Sequence, residues 1–403
     1  MFDPLVAFFC LTILRFTLAV DDVVSTEWLD KHRKSIVLLD ATYDVKPKPD
    51  YKEFKKKYYG NFDELMKIET NATRDYAKEH IPGAVHFNFE AAYYPSQYIR
   101  HDLYPPEEFE KYVRKLGINA NDHIVIYARG RFAGMLFAAR AWWTFKVYGH
   151  EKVSILDGGL QAWKKGGKSV TDAVTTVAPG NWKAKPINKS LLITFEELSK
   201  KNPRRKSLFE DLTKAGLLLC IHIPPICFAL IALCYPEMFT KILQINYLDA
   251  RPEPLFSGAD PFEFPGKGAT GNHLKGAKNV PLAAVMNEDG MKPKEEIEKA
   301  LKKAGFDPSL PTVTACTQGF QATLLSIALR RVGTESRMYN GSMHEIVLRD
   351  PKLISEKQDL RLFSVFLPFQ TVILLLPHFH SRFYLILHLV GNFCKLKFSS
   401  HLR

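Results

Sequence analysis

The chain reads as an α/β protein built from two tandem copies of one module, and three observations predict it. The first is internal repetition: Pro105 to Lys111 (PPEEFEK) returns as Pro293 to Lys299 (PKEEIEK), an offset of 188 positions that Gly117 and Gly305 also obey. The second is a strand pattern, His123, Ile124, Val125, Ile126 and Tyr127, whose apolar part the same offset lays over the β-branched run Thr312, Val313, Thr314, Ala315. The third is the junction at the end of the later run. Cys316 opens a polar, glycine-containing loop, Thr317, Gln318, Gly319, Phe320 and Gln321, that leads straight into a helical pattern. Leu324, Leu325, Ala328 and Leu329 share one face of that helix, and Gly333 offers its stop.

Looser echoes flank the repeated block. Leu39-Asp40-Ala41 matches Leu248-Asp249-Ala250, His80-Ile81-Pro82-Gly83-Ala84 matches His273-Leu274-Lys275-Gly276-Ala277, and Asp157-Gly158-Gly159 matches Asn340-Gly341-Ser342. The offset places Ala128 opposite Cys316, so the first copy has no thiol at this position. One copy reads as chemical and the other as structural. A sulfur at a strand-to-helix junction sits against the positive end of a helix and a ring of backbone N–H groups, both of which favour thiolate over thiol. Free cysteines are also commonly core residues. The chemical reading therefore requires an open sulfur with amides turned toward it.

A chain of 403 residues, 46% hydrophobic and 24% charged, is long enough for two or three domains with real cores. Of the net charge of +12, the tail from Leu362 carries +4 and the stretch from Arg204 to Lys241 +2, and the remaining +6 is spread among many acids through the repeated body, which reads as a solvated basic surface and not a nucleic-acid site. Six cysteines do not make a disulfide framework in a chain of this size, so a reducing compartment fits best. Cys10, Cys220, Cys227, Cys234 and Cys394 lie outside the repeats and leave Cys316 as the thiol of the duplicated body. Cys220, Cys227 and Cys234 lack a close-spaced pair, and no metal site is expected there.

Three apolar stretches stand at the joints and ends of this body: Phe2 to Val20, Gly216 to Tyr235 within an insert at 206–241, and Phe363 to Cys394 in a tail from 352 to 403. The first lacks the basic leader of a secretory signal, and Pro224-Pro225 breaks the second in its middle. Membrane association is one reading of them. The favoured one is that they do not belong to the natural mature protein, with a cytoplasmic location and a mitochondrial or membrane-associated one as alternatives.

Leu38-Leu39-Asp40-Ala41, then His80-Ile81-Pro82-Gly83-Ala84, then a strand ending at the thiol position, then Leu156-Asp157-Gly158-Gly159-Leu160-Gln161-Ala162-Trp163, resembles the rhodanese family. The tandem arrangement resembles its two-domain thiosulfate and 3-mercaptopyruvate sulfurtransferases over about Val23 to Pro351, the insert apart. The resemblance implies two parallel sheets flanked by helices: a non-catalytic domain from Val23 to Val170, a linker at 171–193, and a catalytic domain from Thr194 to Pro351. It also implies a persulfide on Cys316, formed from a small-molecule donor and passed to a small thiol, cyanide or a thioredoxin-like acceptor, with no metal or organic cofactor.

Departures accompany the resemblance. The loop from Thr317 to Gln321 is neutral where thiosulfate sulfurtransferases carry cations and mercaptopyruvate enzymes a Gly-Ser-Gly-Val-Thr run. The serine of the latter falls on Gln318, the substrate-carboxylate arginines fall near Leu255 and Phe264, and Met343 replaces an aromatic. Arg251, Asp75 and His80 are the candidate substrate-binding walls, although a histidine before Pro-Gly more often orders a turn. A catalytically weak persulfide carrier or interaction module is the competing reading. A phosphatase of this fold is excluded, because its phosphoryl-clamping arginine would fall on Ala322.

Overall fold

The computed structural model describes residues 20–201, 245–260 and 273–354, together with the backbone of 372–374, 383–390 and 393–400. The N-terminal and insert apolar stretches, Phe264 and the cysteines other than Cys316 and Cys394 lie outside the described residues. The chain divides into two compact units, a body up to Lys206 and from Gln244 to Lys357, and a remainder.

In the body, two five-stranded sheets repeat one plan. The first lobe comprises β1 (Val23–Val24), α1 (Thr26–His32), β2 (Val37–Asp40), α2 (Tyr51–Lys57), α3 (Phe62–Lys67), α4 (Asn71–Lys78), β3 (Val85–His86), α5 (Phe89–Ala92), α6 (Pro106–Lys115), β4 (Ile124–Tyr127), α7 (Met135–Val147), β5 (Val153–Leu156) and α8 (Gly159–Lys165). The second comprises β6 (Leu192–Ile193), α9 (Phe195–Lys201), β7 (Asn246–Asp249), α10 (Glu253–Ser257), β8 (Lys278–Asn279), α11 (Lys294–Lys303), β9 (Thr312–Ala315), α12 (Phe320–Arg331), β10 (Arg337–Tyr339) and α13 (Ser342–Arg349). The sheet orders are β1-β5-β4-β2-β3 and β6-β10-β9-β7-β8, and all pairings are parallel.

The central strands β4 and β9 are buried along their whole length, as sheets covered on both faces require. Asp40 pairs with Tyr127 in one sheet and Asp249 with Ala315 in the other, so the residues just beyond, Ala128 and Cys316, occupy the same structural position. The helices before these strands, α6 and α11, keep the offset of 188 at both ends. Each starts beside a proline, with acids in its first turn and lysine or arginine in its last, matching the helix dipole.

Both α7 and α12 are buried on nearly every side, because each packs on its own sheet and against the other helix across the lobe boundary. This seam runs beside the thiol loop. The described part of the second unit is an antiparallel sheet of β11 (Val372–Leu374), β12 (Phe383–Val390) and β13 (Phe393–Ser400). No helix among the described residues is long and apolar enough to cross a membrane.

Candidate active site

Cys316 stands one residue past β9, and its loop closes at Gly319, which caps α12 in the left-handed region at φ +87°. Glycine tolerates that backbone at little cost, and it lets the chain turn sharply enough to aim an amide backward. The Gly319 N–H donates to Cys316 Sγ at 3.1 Å. The Cys316 N–H donates to Ser342 Oγ at 3.2 Å, while its carbonyl accepts from the Met343 N–H at 3.0 Å. The Thr317 carbonyl accepts from the His344 N–H at 3.1 Å, so the loop is pinned along the start of α13.

The expected open sulfur is corrected. Cys316 is only 1% exposed. The cause lies in the seam: Phe320, the first residue of α12, is seated among first-lobe rings, at 4.7 Å from His101, 5.4 Å from Phe137 and 5.8 Å from Phe89. That cluster seals the mouth of the loop. Thr317, Gln318 and Gln321 are partly exposed, yet the Gln318 Oε1 is buried without a hydrogen-bond partner among the described residues.

The three candidate wall residues have different surroundings: Arg251 follows β7, the strand paired with β9, while Asp75 and His80 belong to the first lobe. Arg251 is fully buried, and its guanidinium is engaged with Asp249, Nη2 to Oδ2 at 2.7 Å and Nε to both carboxylate oxygens at 3.0 Å. It is a structural ion pair two residues apart in the chain and does not stand as an open cation. Asp75 lies exposed on α4. His80 is fully buried, with Nδ1 2.7 Å from the Tyr76 carbonyl, Nε2 3.1 Å from the Ala173 carbonyl, and its ring stacked on Tyr76 at 4.2 Å. The turn-ordering role is the one its contacts describe. His273, its echo, repeats the device with Nδ1 2.8 Å from the Phe256 carbonyl and its ring stacked 4.0 Å from Phe256.

Residues that sequence reasoning passed over complete the site. Ser342 holds φ +50°, and its hydroxyl both accepts from Cys316 and donates to the Tyr339 carbonyl at 2.9 Å. Its counterpart Gly159 has φ +55°, so a serine in a glycine's conformation was the available signal. Tyr43, His101 and Arg140 enter from the first lobe. His101 is kept well below the usual histidine range by burial and then by Arg100 and Arg140, and is neutral. A cavity of about 310 Å³ lies on the far side of Asn340 and Gly341, between Tyr98, Asp102, Glu196, Glu345 and Arg349, and Cys316 is not among its walls. Burial raises both Asp102 and Glu345 above the ordinary carboxylate range.

The Rhodanese-like domain model matches residues 25–166 and 237–348. The Caenorhabditis elegans protein mpst-1 is 34% identical over 330 residues, 81% of this chain and 92% of its own length. Thiosulfate sulfurtransferase of Gallus gallus is 30% identical over 287 residues, 70% of this chain and 83% of that protein. Among solved structures, SseA from Escherichia coli, described as a 3-mercaptopyruvate sulfotransferase, superposes with a TM-score of 0.57 at 23% identity, covering 80% of this chain and 99% of that one. Tum1 from Saccharomyces cerevisiae gives 0.57 at 22% identity, covering 84% and 99%. At those identities the structural likeness speaks to the fold.

Proposed function

The chain belongs to the rhodanese-like family, and from that premise we propose that it is a sulfurtransferase whose second lobe carries a persulfide on Cys316. The Cys316 thiolate attacks the sulfur of 3-mercaptopyruvate or thiosulfate. The donor's C–S or S–S bond breaks, its electron pair leaves with pyruvate enolate or sulfite, and Cys316 becomes a persulfide anion. A thiolate or cyanide acceptor then attacks the outer sulfur, and the S–S bond electrons return to Cys316.

The observation that supports this reading best is the Gly319 N–H on Cys316 Sγ at 3.1 Å, at the start of the buried helix α12. An amide at a helix start stabilises an anion without a dedicated base. The loop residues Thr317 to Gln321 take their roles from it: their backbone forms the cradle, and Gln318, with its unpartnered Oε1, offers an amide to the donor. The acceptor is a thiol, for which a thioredoxin-like protein is the proposed physiological source. A reducing compartment, cytoplasmic or mitochondrial, suits a free catalytic thiol.

The weaker-carrier reading is favoured by two facts: the sulfur is sealed, and Arg251 is engaged with Asp249. Intact-mass analysis separates the two. Incubation with either donor is expected to add the mass of one sulfur atom at Cys316, and Cys316→Ser is expected to abolish both that addition and turnover. Transfer that survives Cys316→Ser removes the proposal.

A further inference from the structure

Among the described residues, Arg140 is a fully buried cation whose charge no carboxylate answers with a hydrogen bond. It sits on α7, in the lobe without a thiol. Its Nη2 donates to the Asn340 Oδ1 at 2.6 Å and to the His101 carbonyl at 2.9 Å, both neutral groups. Its Nε and Nη1 have no hydrogen-bond partner among the described residues. The guanidinium is held by ring faces instead, 4.8 Å from Trp143, 4.9 Å from Tyr93 and 5.8 Å from Phe320. A buried guanidinium with unused N–H groups is costly, and such a group persists where an anion visits.

The place of the guanidinium beside the thiol loop suggests the visitor. A Cβ built on Gly319 would lie 2.7 Å from Arg140 Nη1, so the guanidinium packs directly on the residue whose amide holds the sulfur. The surrounding groups leave the charge standing. His101 is neutral, Arg100 is paired with Glu90 at 3.1 Å, and the buried Asp102 acts on Arg140 through space without a hydrogen bond, its own carboxyl raised by burial. Asn340 itself corresponds to Asp157 of the first copy, so the second copy has an amide where its sibling has a carboxylate. The loop from Thr317 to Gln321 supplies no cation of its own.

We propose that Arg140 is a positioning residue whose charge stabilises the sulfur anion on Cys316 across the lobe boundary, and that the neutrality of Asn340 keeps that charge available to it. This rests on the sulfurtransferase reading only for the identity of the anion; the effect on the thiolate itself is independent of it.

The test uses the full chain and the variant Asn340→Asp, which preserves size and the acceptor for Arg140, gives up the Nδ2–H bond to the His101 carbonyl at 3.3 Å and adds a countercharge. Two readouts are followed: the pH profile of Cys316 alkylation by iodoacetamide, quantified on the Cys316 peptide, and sulfur loading from 3-mercaptopyruvate. In Asn340→Asp the alkylation profile is expected to move up by about one pH unit, and loading at neutral pH to fall about tenfold, the order of effect a nearby buried unit charge has. Thermal unfolding is followed in parallel, so that only folded protein enters the comparison. Arg140→Met is expected to move the profile the same way, and if it fails to fold Asn340→Asp still decides. An unmoved profile in a stable Asn340→Asp overturns the inference. A moved profile in a protein that never loads sulfur upholds the charge role of Arg140 and removes the sulfurtransferase reading instead.

Discussion

Replacing Gly319 by alanine tests the cradle through backbone and space at once. The position has φ +87°, where an L-residue with a Cβ costs about 1 to 2 kcal/mol. The new methyl would also stand 2.7 Å from Arg140 Nη1 and 3.1 Å from the Asn340 carbonyl oxygen. Both hydrogen bonds of the buried Arg140 leave from Nη2, so displacing Nη1 swings the rigid guanidinium against them, and losing one costs about 1.5 to 3 kcal/mol for a charged donor. The expected total is roughly 2.5 to 5 kcal/mol. Gly333 is the internal control, since it has φ +79° with nothing within 4 Å of a built Cβ. Gly333→Ala should therefore cost only the backbone share, about 1 to 2 kcal/mol. Urea unfolding of both variants beside the parent measures the difference, and sulfur loading on Cys316 should fall in Gly319→Ala alone. Equal destabilisation of the two, or full loading in Gly319→Ala, refutes the packing of Arg140 on the cradle.

The same contacts carry other outcomes. Arg251→Met strands the buried Asp249 carboxylate and is expected to cost about 3 to 5 kcal/mol in denaturant titrations; a stable variant with a raised KM for donor would instead make Arg251 a substrate clamp. His80→Phe should lower stability by about 1 to 3 kcal/mol through the orphaned Tyr76 and Ala173 carbonyl contacts, leaving kcat per folded molecule unchanged. Burial raises the Glu345 carboxyl despite Arg349, so the folded state binds its proton more tightly than the unfolded one. Its stability penalty is absent below the unfolded carboxylate range, grows as pH rises toward the folded value, and stays at neutral pH. Glu345→Gln should accordingly unfold at higher temperature than the parent at pH 7, with the gap closing as pH is lowered below about 4.

The repeat was legible because both copies need the same buried parallel strand at the same distance from the same amphipathic helix. Pro105 and Pro293 mark the starts of α6 and α11, and the strand pairings of Tyr127 and Ala315 confirm that Ala128 and Cys316 share a place. The thiol's position at a strand-to-helix turn was likewise written in local pattern. Its burial was not, because the rings that cover Phe320 come from residues such as Phe89 and His101, brought there by the packing of α7 on α12. Nothing local distinguishes the buried Arg140 from the half-buried Arg330, which pairs with Asp22 and Glu335. Arg251 reads in the sequence as an available cation for a related reason, since nothing local shows that it turns back onto Asp249 two residues earlier.

The divergence of the two copies argues that the first lobe is part of the sulfur site and not a relic beside it. At Gly159 a Cβ would lie 2.4 Å from the Ala128 carbonyl, so the first copy admits no side chain there. The second copy carries Ser342 in the same left-handed conformation, at a backbone cost of about 1 kcal/mol or more, and its hydroxyl fixes the Cys316 N–H. Strain accepted at the one position that sets the thiol's backbone points to selection for geometry at that sulfur. Ser342 and Gly319 arrange the amides, but the positive charge behind them comes from Arg140 and the hydrophobic seal from Phe89, Phe137 and His101, all first-lobe residues. A lobe that had lost its thiol and kept only its fold would have no reason to retain a buried, incompletely bonded guanidinium at its boundary; one that supplies the electrostatics of its sibling's active site would.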